Sequence, residues 1–465
     1  MAKQPPQNEM NMSRRRLLAG IAGTMSSAAV TTTADGGILL PADDSAVTMP
    51  IPAGLPNPED SGIDHIVVVM MENRSFDHYL GWVPGADGVQ AGRSFVDVDG
   101  KTNSSHDLAP DFQNCAAADP NHSYSGGRLH YNNGAMDGFL KTAPAGDTFP
   151  IGYYTKASLP FFGPASENFT VCDRYFSGIL SSTFPNRIYM HAGQTDRLSN
   201  TSDISKLPTI WDRLKAKGRR GEYVFSDAPI VALWGAKYLP ISLPLEAFRA
   251  KAAAGLLADV TYIDPRQLGE GQGVSCDDHP LADIRNGQAF LDNVYNILRL
   301  SPAWKRTLLI INYDEWGGFA DHVPPPLAPV SDAERTLGND GRLGFRVPCM
   351  IIGPHARRGH VEHTAFDPNS ILNLITWRFG LDPIGVRAAS SNNLALALDF
   401  SNPPNVSAPR FDVEHRPYGL ECALQQLLPQ GTTLNGLDAV SRSRAEHILE
   451  LQMVRTLAQR YGFPV

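Results

Sequence analysis

The sequence is short of several things, and each shortage removes a class of protein. Its five cysteines, Cys115, Cys172, Cys276, Cys349 and Cys422, show no CxxC or zinc-type spacing, which excludes a cysteine-based metal module. An odd count leaves at least one cysteine without an intramolecular partner. Positive charge is also in deficit: the net charge is −8 at pH 7, which argues against nucleic acid as the main partner. Beyond the N-terminus no apolar run is long enough to span a bilayer. No internal repeat is found, so a solenoid is excluded.

What remains is a 465-residue chain with 42% hydrophobic and 19% charged residues, as expected of a globular protein. Its 36 prolines and 41 glycines point to many ordered loops, because apolar segments recur between them. At the N-terminus, Ser13-Arg14-Arg15-Arg16-Leu17-Leu18 precedes a weakly apolar stretch from Ala19 to Val30. A basic region, a modest apolar region and then small residues resemble a twin-arginine export signal. Residues 1–34 are therefore expected to be removed, leaving the protein periplasmic or extracellular. Residues 35–60, rich in Pro, Gly and Asp, read as a linker.

Ile66-Val67-Val68-Val69-Met70-Met71 is a continuous apolar run, as in a strand of a parallel sheet covered on both faces. Leu308 to Ile311 and Met350 to Ile352 are further runs of this kind, and Tyr223-Val224-Phe225 is a fourth. Helical patterns alternate with them. Thr209 to Lys217 stops at Gly218, residues 281–300 align Ile284, Leu291, Val294 and Leu298, and Asp367-Pro368 opens another helix. Strands alternating with helices predict an α/β fold with a mostly parallel central sheet sandwiched by helices. Residues 61–400 are read as one catalytic domain with loop-rich insertions over 82–165, and 401–465 as an extension whose helix packs on the core.

Ligands in open α/β sheets bind beyond the carboxyl ends of strands. The first run is followed by Glu72-Asn73, the second by Asp314-Glu315 and then Gly317-Gly318. Two strands thus deliver oxygen ligands to one edge. Clustered carboxylates repel one another unless a cation neutralises them, so a shared metal is expected.

The long block from Asp64 to Tyr79, with Glu72-Asn73-Arg74-Ser75-Phe76-Asp77-His78 at its end, resembles the opening motif of the bacterial phospholipase C and acid phosphatase family, whose fold is that of the alkaline phosphatase superfamily. Further blocks resemble it in order. They are Asp119-Pro120-Asn121-His122, Thr183-Phe184-Pro185-Asn186-Arg187, Asp278-His279-Pro280, Tyr313-Asp314-Glu315-Trp316-Gly317-Gly318 with Asp321-His322, and Arg346-Val347-Pro348. The resemblance covers roughly residues 61–385. It departs from the family at Asp367-Pro368-Asn369-Ser370, where a histidine usually follows the aspartate.

The resemblance implies that Glu72, Asn73, Asp314 and Glu315 bind a divalent metal together with the nucleophile Thr183. It places His122, His279 and His322 around the phosphoryl group, and Arg187 as a phosphate contact or a brace for Asp173. An all-oxygen ligand set favours Ca²⁺, Mg²⁺ or Mn²⁺, with Zn²⁺ also open. The expected activity is hydrolysis of phosphodiesters of phospholipid type through a phosphothreonine ester. A broad acid phosphatase is the alternative, and a catalytically inactive secreted binding protein is a reading of another class. A phospholipid substrate requires an apolar mouth for transient contact with a membrane surface, expected around Phe161-Phe162 and Leu239.

Overall fold

The computed structural model describes residues 54–419 and 439–465. The expected export signal, most of the linker and Cys422 lie outside the described residues.

An eight-stranded sheet forms the centre. In chain order its strands are β1 (His65–Met71), β2 (Thr170–Cys172), β3 (Gly221–Phe225), β4 (Ser242–Pro244), β5 (Val260–Ile263), β6 (Thr307–Tyr313), β7 (Cys349–Ile352) and β8 (His360–Glu362). Across the sheet they run β8-β2-β7-β6-β1-β5-β3-β4. Every neighbouring pair is parallel except the two that involve β7. The sheet is therefore mostly parallel, as the alternating pattern predicts.

The reversed strand corrects the expectation that Met350 to Ile352 runs with the others. Apolar composition reports burial on both faces, not direction. The chain enters β7 directly from Arg346, which is tied to Asp77 and Asp321 at the edge where β1 and β6 end, so β7 must run away from that edge.

The centre of the sheet is dry. Ile66 to Met71 in β1 and Leu308 to Ile311 in β6 are all buried, each such side chain contributing about 1.5–3 kcal/mol relative to exposure. The Ile284–Arg299 helix buries the four residues that the periodicity aligns. It starts at Asp283, whose side chain accepts the N–H of Arg285, because Leu281 at φ 83 cannot be helical. The Pro368–Phe379 helix opens on a capping box between Asp367 and Ser370. The last helix, Ala439–Arg460, lies against the Ile230–Ile241 segment and sinks Val454 and Ala458 into the main core. Residues of the 82–165 insertion build a satellite core, in which Phe95, Phe139 and Ile151 meet Trp316 and Phe345.

Phe161 and Phe162 are completely buried, so they cannot form the apolar mouth expected of them. Among the described residues no helix is long and apolar enough to cross a membrane. Cys115 is disulfide-bonded, whereas Cys172, Cys276 and Cys349 are free.

Candidate active site

β1 and β6 are adjacent and parallel, with Met71 opposite Tyr313. Their next residues, Glu72-Asn73 and Asp314-Glu315, therefore emerge side by side. Asn73 takes a left-handed backbone (φ 52), a conformation asparagine tolerates. Its N–H donates to Asp314 Oδ1 at 3.2 Å. Gly317 and Gly318 also have positive φ, and here the missing Cβ matters. A Cβ on Gly317 would lie 2.1 Å from the Asn73 carbonyl oxygen, and one on Gly318 would lie 2.5 Å from Pro120 Cβ. The glycine pair thus lets the two strand ends and the Pro120–His122 loop close on one another.

Thr183 is the first residue of a wholly buried helix, Thr183–Ala192. Its hydroxyl donates to Glu72 Oε2 at 3.3 Å. The rival hydroxyl of Ser181 donates instead to the Leu198 carbonyl. Asn186 fixes the register, accepting from the N–H of Ile179 and donating to the carbonyls of Ser181 and Ser182.

Arg187, one turn further on, does not contact Asp173. Its guanidinium meets Glu72 (2.5 Å), Asp264 (3.0 Å) and Asp314 (3.4 Å) and is itself buried. The structure thus sets it among carboxylates rather than at an open phosphate position. Those three carboxylates hold the guanidinium firmly in its charged form although burial opposes it. Asp173 is paired with His363 instead.

The carboxylates remain under-neutralised. Burial, then the neighbouring Glu72, raises Asp314 well above the usual carboxylate range; burial, then Asp314, does the same to Glu315. Asn73 Oδ1, Asp314 Oδ2 and Glu315 Oε1 are buried without a hydrogen-bond partner. Unsatisfied buried oxygens of this kind suit the chemistry of a hard divalent cation. As they stand they do not form one coordination sphere: Arg187 bridges Glu72 and Asp314, and Glu315 turns Oε2 to the N–H of Gly317 and Oε1 towards His122, 3.7 Å away.

His122 and His279 sit beside this edge, ring centroids 5.9 Å apart, with Asp119 between them. Two groups here have donor atoms within 4.8 Å of one another and could hold a metal ion: Asp119, His122 and His279, and Glu270, His279 and His447. His322 is elsewhere. Its nitrogens bond Asp77 at 2.7 Å and Asp87 at 3.1 Å, and Asp77 is in turn held by Arg346. The resemblance places His322 with the other histidines, in the block that also holds Gly317-Gly318. The glycine turn carries the chain away, and His322 braces the base of the Phe76–Leu80 turn instead.

Several neighbours were not anticipated. Asp264 follows β5 directly, and the rule of reading what comes after each buried strand could have found it. Gln267 Nε2 donates to Glu72 Oε1 at 3.0 Å. Glu270, Asn200 and His447 carry no local signal. A cleft of about 530 Å³ opens at this place, lined by His122, Ser182, Asn200, His447 and Glu450 among others.

A buried hydroxyl on a helix start is thus aimed at carboxylates beyond the ends of two parallel strands, with two histidines beside them. The chain belongs to the phosphoesterase family, whose model matches residues 63–382. It is 28% identical to phospholipase C A of Mycobacterium tuberculosis over 81% of this chain and 85% of that protein. It is 32% identical to non-specific phospholipase C1 of Arabidopsis thaliana over 66% of this chain and 63% of that one. Among solved structures it is similar to the phosphonate monoester hydrolase of Agrobacterium radiobacter, at 10% identity and TM-score 0.36 over 73% of this chain and 78% of that one. The protein is accordingly a phospholipase C-like phosphoesterase, a hydrolase acting on phosphate ester bonds.

Proposed function

We propose that the protein is an exported, metal-dependent phosphodiesterase that cleaves phospholipid head groups through a phosphothreonine ester on Thr183. The observation that carries this reading is the Thr183 hydroxyl directed at Glu72 Oε2 beside Asp314. Thr183 Oγ1 attacks phosphorus in line and its proton has an acceptor in the Glu72 carboxylate. The bond from phosphorus to the alcohol oxygen breaks, and the alcohol departs with a proton supplied from His122 or His279. Water then attacks the ester, breaks the phosphorus–Oγ1 bond and releases the phosphorylated head group.

Glu72, Asn73, Asp314 and Glu315, with Thr183, would hold the cation, and Ca²⁺, Mg²⁺ or Mn²⁺ suits their oxygens best, with Zn²⁺ as the remaining choice. When bound, the metal lowers the pKa of a hydroxyl and withdraws charge from a phosphoryl oxygen. Export rests on the Ser13–Leu18 segment, and is tested by fractionating cells that express Arg14→Lys/Arg15→Lys protein, in which the precursor should stay in the cytoplasm.

The relatives' names favour phospholipid. Burial of Phe161 and Phe162 favours the second reading, a phosphomonoesterase, which needs no apolar mouth. Turnover of phosphatidylcholine vesicles against an aryl phosphate monoester decides between them. Thr183→Ala should abolish either activity, and if it does not, the covalent mechanism is wrong. A wild-type protein inert to both substrates with every candidate metal would instead be a binding protein.

A further inference from the structure

The Ala439–Arg460 helix lies outside the segment that matches the family, yet it reaches the site at three points. Glu450 Oε2 accepts from Asn200 Nδ2 at 2.6 Å. Asn200 Oδ1 in turn accepts the N–H of Phe184 at 2.8 Å, so this side chain caps the helix that begins with Thr183. His447 Nε2 lies 2.8 Å from Glu270 Oε1, and the same oxygen lies 3.1 Å from His279 Nδ1. The two imidazoles are stacked, with centroids 3.3 Å apart and planes within 6°. Ser443 Oγ accepts the N–H of Asp119, whose carboxylate stands between His122 and His279.

The geometry of His279 shows what this arrangement accomplishes. Its Nδ1 donates to the Pro280 carbonyl at 3.0 Å and stands 3.1 Å from Glu270 Oε1, while Nε2 is buried and has no hydrogen-bond partner. The Pro280 carbonyl fixes the tautomer, and the Glu270 carboxylate beside the same nitrogen helps to hold the plane, leaving the other nitrogen for substrate. His447 Nε2 faces the same Glu270 oxygen from the other side, so the carboxylate is held between the two stacked imidazoles. Asn200 likewise has two rotamer-locking partners, Phe184 and Glu450. Without Glu450 its amide is free to turn, and the first turn of the Thr183 helix loses a cap.

We propose that His447 and Glu450 are positioning residues of this active site: His447 orients His279 through Glu270, and Glu450 orients Thr183 through Asn200. The proposal rests on the reading above that Thr183 and His279 meet the phosphoryl group. The last helix is then a working wall of the site as well as core packing.

The test is two double-mutant cycles on the full chain, with steady-state kinetics on an aryl phosphate ester. Glu450→Ala and His447→Ala should each lower kcat about tenfold to a hundredfold, with KM within about threefold, as a small misplacement of reacting groups does. Glu450→Ala should add nothing in an Asn200→Ala background, nor His447→Ala in a His279→Ala background. Glu450→Gln keeps an acceptor for Asn200 and should retain most of kcat. Should the alanine variants not fold, Glu450→Gln and Asn200→Asp decide: the first must keep kcat, and the second, which sets two carboxylates together, must lose it. Wild-type kcat in both alanine variants, or additive losses in both cycles, overturns the proposal. Full activity in Thr183→Ala would instead overturn the reading beneath it.

Discussion

The Asn73 N–H and the Asp314 carboxylate meet at 3.2 Å although 241 positions separate them in the chain. Parallel pairing of β1 with β6 is sufficient to bring this about, and it stacks three buried carboxyl groups at one sheet edge. Crowding of this kind favours a bound cation, because with one guanidinium present Asp314 and Glu315 are still raised well above the usual carboxylate range.

A divalent cation should therefore raise the thermal unfolding midpoint of the wild-type protein, by about 2.7 kcal/mol in stability at a hundred times Kd. Asp314→Asn should lose this response, and elemental analysis should find it depleted of metal. An unchanged metal content in Asp314→Asn and Glu72→Gln would remove these residues from the metal centre.

Arg187→Gln would leave Glu72, Asp264 and Asp314 without their shared counter-charge. Breaking a buried pair from one side is destabilising by about 3–5 kcal/mol, and denaturant unfolding should show a loss of that order. A variant whose stability is close to wild type, with only KM raised, would restore Arg187 as a substrate contact.

Asp278 directly precedes His279 in the chain, and burial pushes its carboxyl up to about 7. Its folded pKa is thus above the unfolded value of about 3.8, so the protonated form favours the fold. That stability is fully present below the unfolded pKa and is lost as pH rises through 7. Asp278→Asn keeps an acceptor for the Tyr313 hydroxyl and should flatten the decline in unfolding midpoint between about pH 4 and 7, the interval between the two pKa values. An identical decline in both proteins counts against this origin.

His322 should be dispensable for chemistry. His322→Ala is expected to keep kcat within about threefold of wild type, while lowering the unfolding midpoint through loss of its bonds to Asp77 and Asp87. A loss of kcat of a hundredfold or more would bring it back to the phosphoryl group.

Gly318→Ala tests the closure of the loops. Its Cβ would strike Pro120 in a left-handed backbone, so His122 should shift and kcat should fall with a loss of about 1–3 kcal/mol in stability. Kinetics and denaturant unfolding read the two effects separately.

Local patterning is enough to specify the sheet and the edge at which Glu72, Asn73, Asp314 and Glu315 leave it. Apolar runs of strand length report burial on both faces, and residues just beyond such strands have one place to go, so Glu72, Asn73, Asp314 and Glu315 were legible without coordinates. Thr183 was legible because a block of five residues fixed its register. The direction of β7, the partners of Arg187 and His322, and the arrival of Asn200, Glu270 and His447 depend on packing between distant segments. The physical reason is the same in each case. A side chain's partners depend on which distant segments pack beside it, and neither a loop's path after a glycine turn nor the seat of a C-terminal helix is written in local periodicity.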